Sequence, residues 1–517
     1  MGKRLKGTLS IYFLLSMLLV LSVVFTLLES LRLYGAAYFS SQNPEAVAES
    51  VFAAYDADVY SKYHLFAYSA YSDEGLDMDR IYDAAEFVAN TTLQPEADGR
   101  SFWLRQVLAD SDVSEYELTT DDDGEWMYLQ MAQCAKEELL EDVISGLDDV
   151  VDELGDDNAD TLNGIERDAN DAMSQGSLNV DNYQWKIYGS LPRIRTKGDN
   201  KEVDTESESY TEAAATYIEH GNPITSMSSL KSHGILDLVI QDRSGISEKT
   251  VVKSELAYER TLEKGNMQSM HKDGFSVTNK ALVLRYIDKY FNSYVDNKAW
   301  GALDYEKEYL IFGKDSDEGN LKAAVNSLLL VREGCNYITL TKDPEKLAVA
   351  TSLATAIGIL FVIPEFIPVI KQGILLAWAY GESILDLRTL LCGGKVSLIK
   401  SPAEWTLDID SMGSISGSYL KAQENSAGIS YEMYLNAMLF MQQQKKQSQR
   451  LLNLIEANIR SMEGRNAFSI DKTVLSMELQ LTYQSSPLFL MFVDEIEDKP
   501  ENFSFIRIIR YSYIDDT

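Results

Sequence analysis

The acidic segment 119–126 (TTDDDGEW) comes closest to a metal-binding motif in this sequence. Residues matching the third, fifth and sixth positions of a calcium-binding EF-hand loop are Asp121, Asp123 and Gly124. The first and twelfth positions would be Thr119 and Gln130, which lack the carboxylates that such a loop needs. We therefore interpret the segment as a solvated acidic loop. A divalent cation is compatible with so acidic a chain, but no residue pattern supports one.

Motifs for phosphate binding, nucleophilic catalysis and zinc binding are incomplete or absent. Gly393-Gly394-Lys395 resembles the end of a phosphate-binding loop, but Thr389 stands where the earlier glycine belongs. We interpret these glycines as the cap of a helix ending at Leu391-Cys392. No Gly-x-Ser-x-Gly or His-Glu-x-x-His occurs. The four histidines and three cysteines are widely spaced and indicate neither a zinc site nor a disulfide framework. The sequence thus predicts no catalytic residue, cofactor or metal, and no enzyme.

The N-terminus has the composition of a membrane anchor. Residues 7–28 (GTLSIYFLLSMLLVLSVVFTLL) carry no charge, and Lys3, Arg4 and Lys6 precede them. At about 1.5 Å per residue, one helix of this length crosses the roughly 30 Å hydrocarbon core of a bilayer. Since Arg32 is the one cation just beyond the run, the positive-inside rule predicts a cytoplasmic N-terminus. We expect a single-pass protein of the cell membrane whose bulk is extracytoplasmic.

Two kinds of processing compete with an uncleaved anchor. A secretory signal peptide would have an apolar region of about 7–15 residues and then a cleavage site, whereas Glu29 and Arg32 follow this run directly. A prepilin-type peptidase would cut after Gly7, but pilins of that type usually carry Glu where this chain has Tyr12. We favour the uncleaved anchor. Glu29 then marks the membrane–water boundary as a hydrated carboxylate, or else pairs with a cation of a neighbouring helix.

The remaining sequence predicts an α+β, helix-dominated fold with a small, mostly antiparallel sheet. Helical periodicity marks four later segments, 278–295, 318–331, 430–441 and 448–461. Strand patterns mark 309–312, 468–483 and 503–513. Asn43-Pro44 is typical of the start of a new helix.

We divide the chain into three parts. Residues 1–28 form the basic tip and anchor, 29–275 an acidic and mainly helical extracytoplasmic region with loops, and 276–517 an α+β extracytoplasmic region. The last part contains an apolar block, 347–391, interrupted by a Pro-Glu-Phe-Ile-Pro sequence. We interpret this block as a buried helical pair, because Ala, Thr and Ser are common in its first half and insert weakly into lipid. A membrane hairpin is the alternative.

Several blocks of the sequence resemble an uncharacterised membrane-anchored family from Gram-positive bacteria. They are residues 6–36 (KGTLSIYF…LYGA), 50–68 (SVFAAYDADVYSKYHLFAY), 309–337 (YLIFGKDSDEG…GCNY), 374–407 (ILLAWAYGESILDLRTLLCGGK…EWTL) and parts of 434–460. The family has no assigned activity, and its members tend to be encoded near components of tight-adherence (Flp-type) pilus machinery. The resemblance implies a minor pilin-like or assembly subunit.

We therefore expect a membrane-anchored protein that acts through protein–protein contacts. Its partners would be the lipid bilayer, through residues 7–28, and pilus or secretion-apparatus proteins. The net charge of −34 argues against a nucleic-acid partner. Two alternatives remain open. One is an extracellular hydrolase with a dispersed site, and the other is a multi-pass, transport-associated membrane protein that uses 347–391.

Overall fold

A computed structural model describes residues 2–69, 71–72, 75–93, 103–136, 157–187, 205–267, 274–298, 300–489 and 502–514. The α-helices in these residues are α1 (Gly2–Phe52), α2 (Ala57–Tyr63), α3 (Met78–Leu93), α4 (Glu125–Ala135), α5 (Asp157–Ile187), α6 (Thr205–His220), α7 (Pro223–Lys231), α8 (Ile235–Val239), α9 (Val277–Tyr290), α10 (Glu306–Phe312), α11 (Asp317–Lys342), α12 (Pro344–Leu360), α13 (Ile367–Leu391), α14 (Tyr431–Met441) and α15 (Gln444–Arg460). The strands are β1 (Tyr71–Ser72), β2 (Gly75–Leu76), β3 (Gln106–Leu118), β4 (Lys395–Val396), β5 (Ile429–Ser430), β6 (Val474–Ser485) and β7 (Phe503–Ser512). These elements confirm the α+β, helix-dominated fold.

The chain divides into two compact units, and neither is continuous in the sequence. Met1–Glu137, Ser254–Asn279 and Leu451–Thr517 make up the sheet unit. Glu138–Lys253 and Lys280–Arg450 make up the helical unit.

The sheet unit is built around an antiparallel sheet of strand order β3-β6-β7. The register places Leu479 of the central strand opposite Val113 on one side and Ile509 on the other. Side chains on β6 alternate between the two faces of the sheet, and one face carries Met477, Leu479, Leu481 and Tyr483, all fully buried. Helices α1 and α3 cover this face and complete the core.

The helical unit is centred on α13, which packs against α5, α7, α11 and α12. Nearly every residue of α13 from Ile370 onward is buried. The approach to α5 is close, because a Cβ atom on Gly373 would collide with the Cβ atom of Ala169. Asp343 is the N-cap of helix α12, and its carboxylate accepts hydrogen bonds from backbone N–H groups of the first turn. Pro344 is the first helical residue. Residues 373–391 of the apolar block thus lie in the core of the helical unit.

The four predicted later helices are confirmed as α9, α11, α14 and α15, although α9 ends at Tyr290, before the predicted residue 295, and α11 continues to Lys342. The strand predicted at 503–513 is confirmed as β7, and the one predicted at 468–483 is confirmed from Val474 onward as β6, because Ile470–Lys472 form a short 3-10 helix. The strand predicted at 309–312 is wrong, because these residues end α10. Aromatic and branched residues favoured a strand there. The helix is instead capped by Gly313, whose left-handed backbone (φ 63°) lets its N–H bond to Tyr309 O.

The predicted start of a new helix at Asn43-Pro44 is also wrong, since α1 runs without a break from Gly2 to Phe52. Proline inside a helix removes a backbone donor and costs roughly 3 kcal/mol. Burial of the apolar side chains beyond it offsets this cost; they are Val47, Ala48, Val51 and Phe52. Packing on the sheet thus overrides the local signal.

Candidate functional site

Helix α1 has two faces of opposite character beyond the apolar run. At about 100° per residue, positions three and four apart fall on one side of a helix. The buried side carries Glu29, Arg32, Ala36, Ser40, Asn43 and Val47. The opposite, exposed side carries Leu27, Leu31, Tyr34, Tyr38, Glu45 and Glu49. One helix therefore holds the sheet unit on one side and presents an open surface on the other.

The first part of α1 exposes every side chain over residues 9–24. Its most apolar stretch has a mean hydropathy of 2.6. Within the residues that the structure describes, α1 is the helix that is long and apolar enough to cross a membrane. The segment predicted as an anchor thus has the length and composition for that role.

A buried ion pair joins this apolar part of α1 to the rest of the sheet unit. Arg32 Nη2 lies 2.5 Å from Glu29 Oε1, and both side chains are almost fully buried. The same guanidinium donates through Nη1 to Leu104 O (2.6 Å) and to Ser485 Oγ (2.9 Å). Glu29 Oε2 accepts from the backbone N–H of Phe489 (2.8 Å). Both charges therefore have partners that compensate for their removal from water.

Aromatic rings pack beside the ion pair. Phe25 stacks on Phe489 with ring centroids 6.2 Å apart, and Trp103 lies 5.8 Å from the same ring. The junction thus combines a charged pair with an apolar contact and fixes the direction in which α1 leaves the sheet unit.

The prediction that Glu29 stays hydrated at the membrane boundary is wrong. Its exposed fraction is 1%. The carboxylate is held by Arg32 of the same helix and by the N–H group of Phe489. Periodicity could show that Glu29 and Arg32 share a helix face. The sequence held no sign that residues 104 and 485–489 would converge on them.

A second buried charge cluster lies in the helical unit. Arg332 of α11 pairs with Asp386 of α13, with Nη2 and Oδ2 2.9 Å apart. Lys400 lies 2.5 Å from Asp386 Oδ1 and also contacts Glu382, one turn earlier on α13. Asn336 donates to Asp386 Oδ2 at 2.8 Å. Two cations thus balance two carboxylates in the core.

The network shifts the pKa values of its two carboxyl groups in opposite directions. Burial, which outweighs the charge of Lys400, raises the pKa of Glu382 above its ordinary value. Burial acts to raise the pKa of Asp386, but the charges of Arg332 and Lys400 outweigh burial and hold it below its usual value. Glu382 Oε2 also accepts from the N–H of Leu407 at 2.7 Å. Each charged group has partners inside the unit, so the cluster fixes α11, α13 and the segment around Lys400 in one arrangement.

Sequence analysis did not single out this network. Glu382 and Asp386 lie within the apolar block 347–391. The available signal was their spacing of four residues, which puts two carboxylates on one face of an otherwise apolar helix. Such a pair predicts buried cations nearby, but Arg332 and Lys400 cannot be assigned as these cations from spacing.

Glu308 is a further buried carboxyl in the helical unit. Its Oε1 accepts from Tyr431 Oη (2.7 Å) and from Tyr294 N (2.9 Å). No described residue bonds its buried Oε2 atom. Burial, reinforced by the nearby Glu432 carboxylate, raises the pKa of Glu308 to about 7. At acidic pH this group is therefore protonated in the folded unit.

Glu308 should make the helical unit more stable in acid than at neutral pH. Its pKa is about 7 when folded, against an ordinary 4.5. Between these values the folded state keeps a proton that the unfolded state has lost, so this stability is complete below pH 4.5 and is lost as pH rises through 7. Glu308→Gln removes the effect. The free energy of unfolding of the wild type, relative to the variant, should fall by about 3 kcal/mol from pH 4.5 to pH 8.

Urea unfolding at several pH values, followed through exposure of the buried Cys335 thiol, measures this difference. The exposed carboxylate Glu345 supplies the control, and Glu345→Gln should keep the wild-type pH dependence. Parallel pH profiles for wild type and Glu308→Gln would contradict the assignment.

The segment considered as a calcium loop forms a turn between β3 and α4. Asp121 accepts from the backbone N–H groups of Leu118 (2.7 Å) and Gly265 (3.0 Å). Asp122 and Asp123 adopt left-handed backbone conformations. The Asp121 carboxylate thus holds the turn in place. Among the described residues, no three or more His, Cys, Asp or Glu side chains are grouped to hold a metal ion.

The glycine pair after α13 ends the helix, as predicted. Gly393 has a φ of 84° and its N–H donates to Leu390 O at 2.9 Å. This left-handed residue is a helix C-cap.

Comparison with known proteins places this chain in a family. A model described as "Family of unknown function (DUF5702)" matches residues 214–485. This range contains the buried charge network and β6, whereas α1 precedes it. No curated protein and no solved structure matches the chain. Since the matched residues make up more than half of the sequence, the chain belongs to the DUF5702 family.

Proposed function

We propose that this protein is a membrane-anchored extracytoplasmic subunit that works through protein–protein contacts, as a minor pilin-like or assembly component. The observation that supports this most is the continuity of α1. The same helix is apolar and exposed over residues 9–24 and packs on the sheet beyond residue 29.

The junction at Glu29 and Arg32 adds a mechanical argument. A buried, fully hydrogen-bonded ion pair at the base of the sheet unit sets the angle between that unit and the apolar helix. A protein that must dock in a fixed orientation at a membrane requires such a rigid link. A tethered enzyme that meets soluble substrates does not need it.

Three sequence features support the finer parts of the proposal. The cations Lys3, Arg4 and Lys6 favour a cytoplasmic N-terminus. The resemblance of residues 6–36 and of the later blocks to a Gram-positive family encoded near tight-adherence genes supports a role in that pilus or secretion apparatus. The net charge of −34 suits an extracytoplasmic domain that stays soluble and meets basic partners.

Isolation of the full-length protein from its own cells in mild detergent tests this proposal. We expect a stoichiometric complex with other envelope proteins, and digestion of both units when intact cells are treated with protease. Mass determination of the N-terminal peptide should show that the residues up to Gly7 are still joined to the anchor. A chain that begins at Thr8 would reveal prepilin-type processing.

A charged anchor provides the control. Leu14→Arg with Leu18→Arg places two cations in the exposed apolar part of α1, at a cost of about 2.5–3.5 kcal/mol each within a bilayer. This variant should leave the membrane fraction and lose the complex. Two results together would refute the proposed function. The wild-type protein would be monomeric in mild detergent, and cells that lack it would form normal surface appendages.

A further inference from the structure

The exposed side of α1 carries an apolar and aromatic stripe that continues past the predicted anchor. We call Leu27, Leu31, Tyr34 and Tyr38 the stripe. Tyr34 is 84% exposed and Leu31 is 70% exposed. Their spacing of four, three and four residues is the repeat with which one helix packs along another at a small crossing angle. The spacing therefore fits a helix as the occupant, rather than a loop or a strand.

The stripe is continuous with the membrane-spanning part of α1. Val20 and Val24 extend the same line, again at spacings of four and three residues, and both are exposed. An occupant that follows the line from Val20 to Tyr38 covers about 27 Å of helix. It must run beside α1 both in the apolar run and above it. The occupant is therefore a membrane-spanning helix.

Charge at the far end of this face distinguishes one kind of partner from another. Glu45 and Glu49 lie on the same side of α1, exposed, and begin about 10 Å beyond Tyr38. A second copy aligned in the same direction would set these carboxylates against their own counterparts, which is unfavourable. A helix that carries Lys or Arg at this level would instead be attracted.

We propose that the stripe binds a membrane-spanning helix of a different protein, one that carries basic residues where it passes Glu45 and Glu49. This inference rests on the proposed function and specifies the partner. Packing along the stripe supplies contact area, and the two carboxylates select the partner and its position along α1.

Photocrosslinking in intact cells tests the contact. A benzophenone amino acid replaces Tyr34 or Tyr38 in the full-length chain. The matched control replaces Phe87 of α3, which is 74% exposed in the same unit. We expect both stripe positions, and not position 87, to crosslink to one protein. Mass spectrometry should map the crosslinked peptide to a transmembrane helix with adjacent Lys or Arg.

Charge reversal tests the selectivity. Glu45→Lys with Glu49→Lys should reduce the crosslink from position 38 at least about tenfold, because cations would then face cations. Asp79→Lys with Asp83→Lys makes the same change in net charge on the exposed side of α3 and should leave the crosslink intact. Protection of the β6 backbone amides from hydrogen exchange shows that each variant is folded.

Crosslinks to lipid alone, to a second copy, or to a helix without basic residues would each overturn the inference, as would a crosslink that charge reversal leaves undiminished. These failures differ from failure of the proposed function. If the stripe faces lipid but the wild-type protein is still isolated in an envelope complex, the inference fails and the proposed function stands. A protein without any complex loses that role.

Discussion

Replacing Arg332 by methionine is expected to lower the free energy of unfolding of the helical unit by about 3–5 kcal/mol. The change removes one of two cations that face two carboxylates in a fully buried cluster. Asp386 and Glu382 would then share Lys400 alone, with no water to screen the excess negative charge. Arg332 also donates to Ser397 O and Leu398 O, which would lose a donor.

Cys335 reports this change from within the same helix, because its thiol is buried next to the cluster on α11. A thiol reagent reaches Cys335 only when the unit opens. Opening should become about a hundred- to several thousandfold more frequent in Arg332→Met. Peptide mapping separates this signal from that of the exposed Cys392.

Arg243→Met is the matched control for the Arg332 variant. Arg243 pairs with Asp237 and Glu318 on the surface, where its side chain is 45% exposed. Exposed ion pairs contribute about 1 kcal/mol or less, so labelling of Cys335 should change by no more than about fivefold. Equal effects of the two substitutions would show that the buried cluster does not stabilise the unit as we describe.

Arg32→Met is expected to detach α1, around residue 29, from the rest of the sheet unit. The substitution leaves the Glu29 carboxylate buried with backbone N–H donors but without a cation, at a cost of about 3 kcal/mol or more. The carbonyl of Leu104 and the hydroxyl of Ser485 each lose the guanidinium as a donor, and Leu104 O keeps only the hydrogen bond from Ser485 Oγ among these groups. The least costly response is local opening that returns Glu29 to water, since the remainder of the sheet core does not depend on it.

Hydrogen exchange at the backbone amides of Leu488 and Phe489 measures this opening, because both face Glu29. Their protection should fall about a hundredfold in Arg32→Met. The double variant Glu29→Gln with Arg32→Met removes both charges and should recover most of the protection. Unchanged exchange in the single variant would mean that the ion pair does not hold the junction. The proposed function adds that the single variant should assemble poorly while remaining in the membrane.

Much of the fold could be predicted from local patterns. Helices with a clear apolar face, such as α9, α14 and α15, were found from periodicity, and β6 and β7 from alternation. Strand β3 was missed, because its acidic sequence (QVLADSDVSEYEL) has the composition of a loop. Its pairing with β6, a long-range contact, makes it a strand. Pro44 likewise lies inside α1, rather than at the start of a new helix, because of packing against residues that are distant in the sequence.

The candidate site could be predicted only in part. The apolar run and its flanking cations are local features and were visible. The partners of Glu29 and Asp386 come from segments far away in the sequence, and nothing in residue spacing links Arg32 to Ser485 or Lys400 to Glu382. The sequence can therefore indicate one charged residue of a buried ion pair. Which residue is its partner depends on the tertiary fold.

The discontinuous sheet unit has a consequence for the order of events during synthesis. Strand β3 ends at residue 118, and its partner β6 begins at residue 474. At about 5–20 residues per second, the ribosome needs roughly 20–70 s to make the chain between them. Throughout this interval α1 is already available for membrane insertion, while the apolar surface that β6 will cover has no native partner. A nascent chain of this design is expected to require a holding chaperone until its last strands arrive.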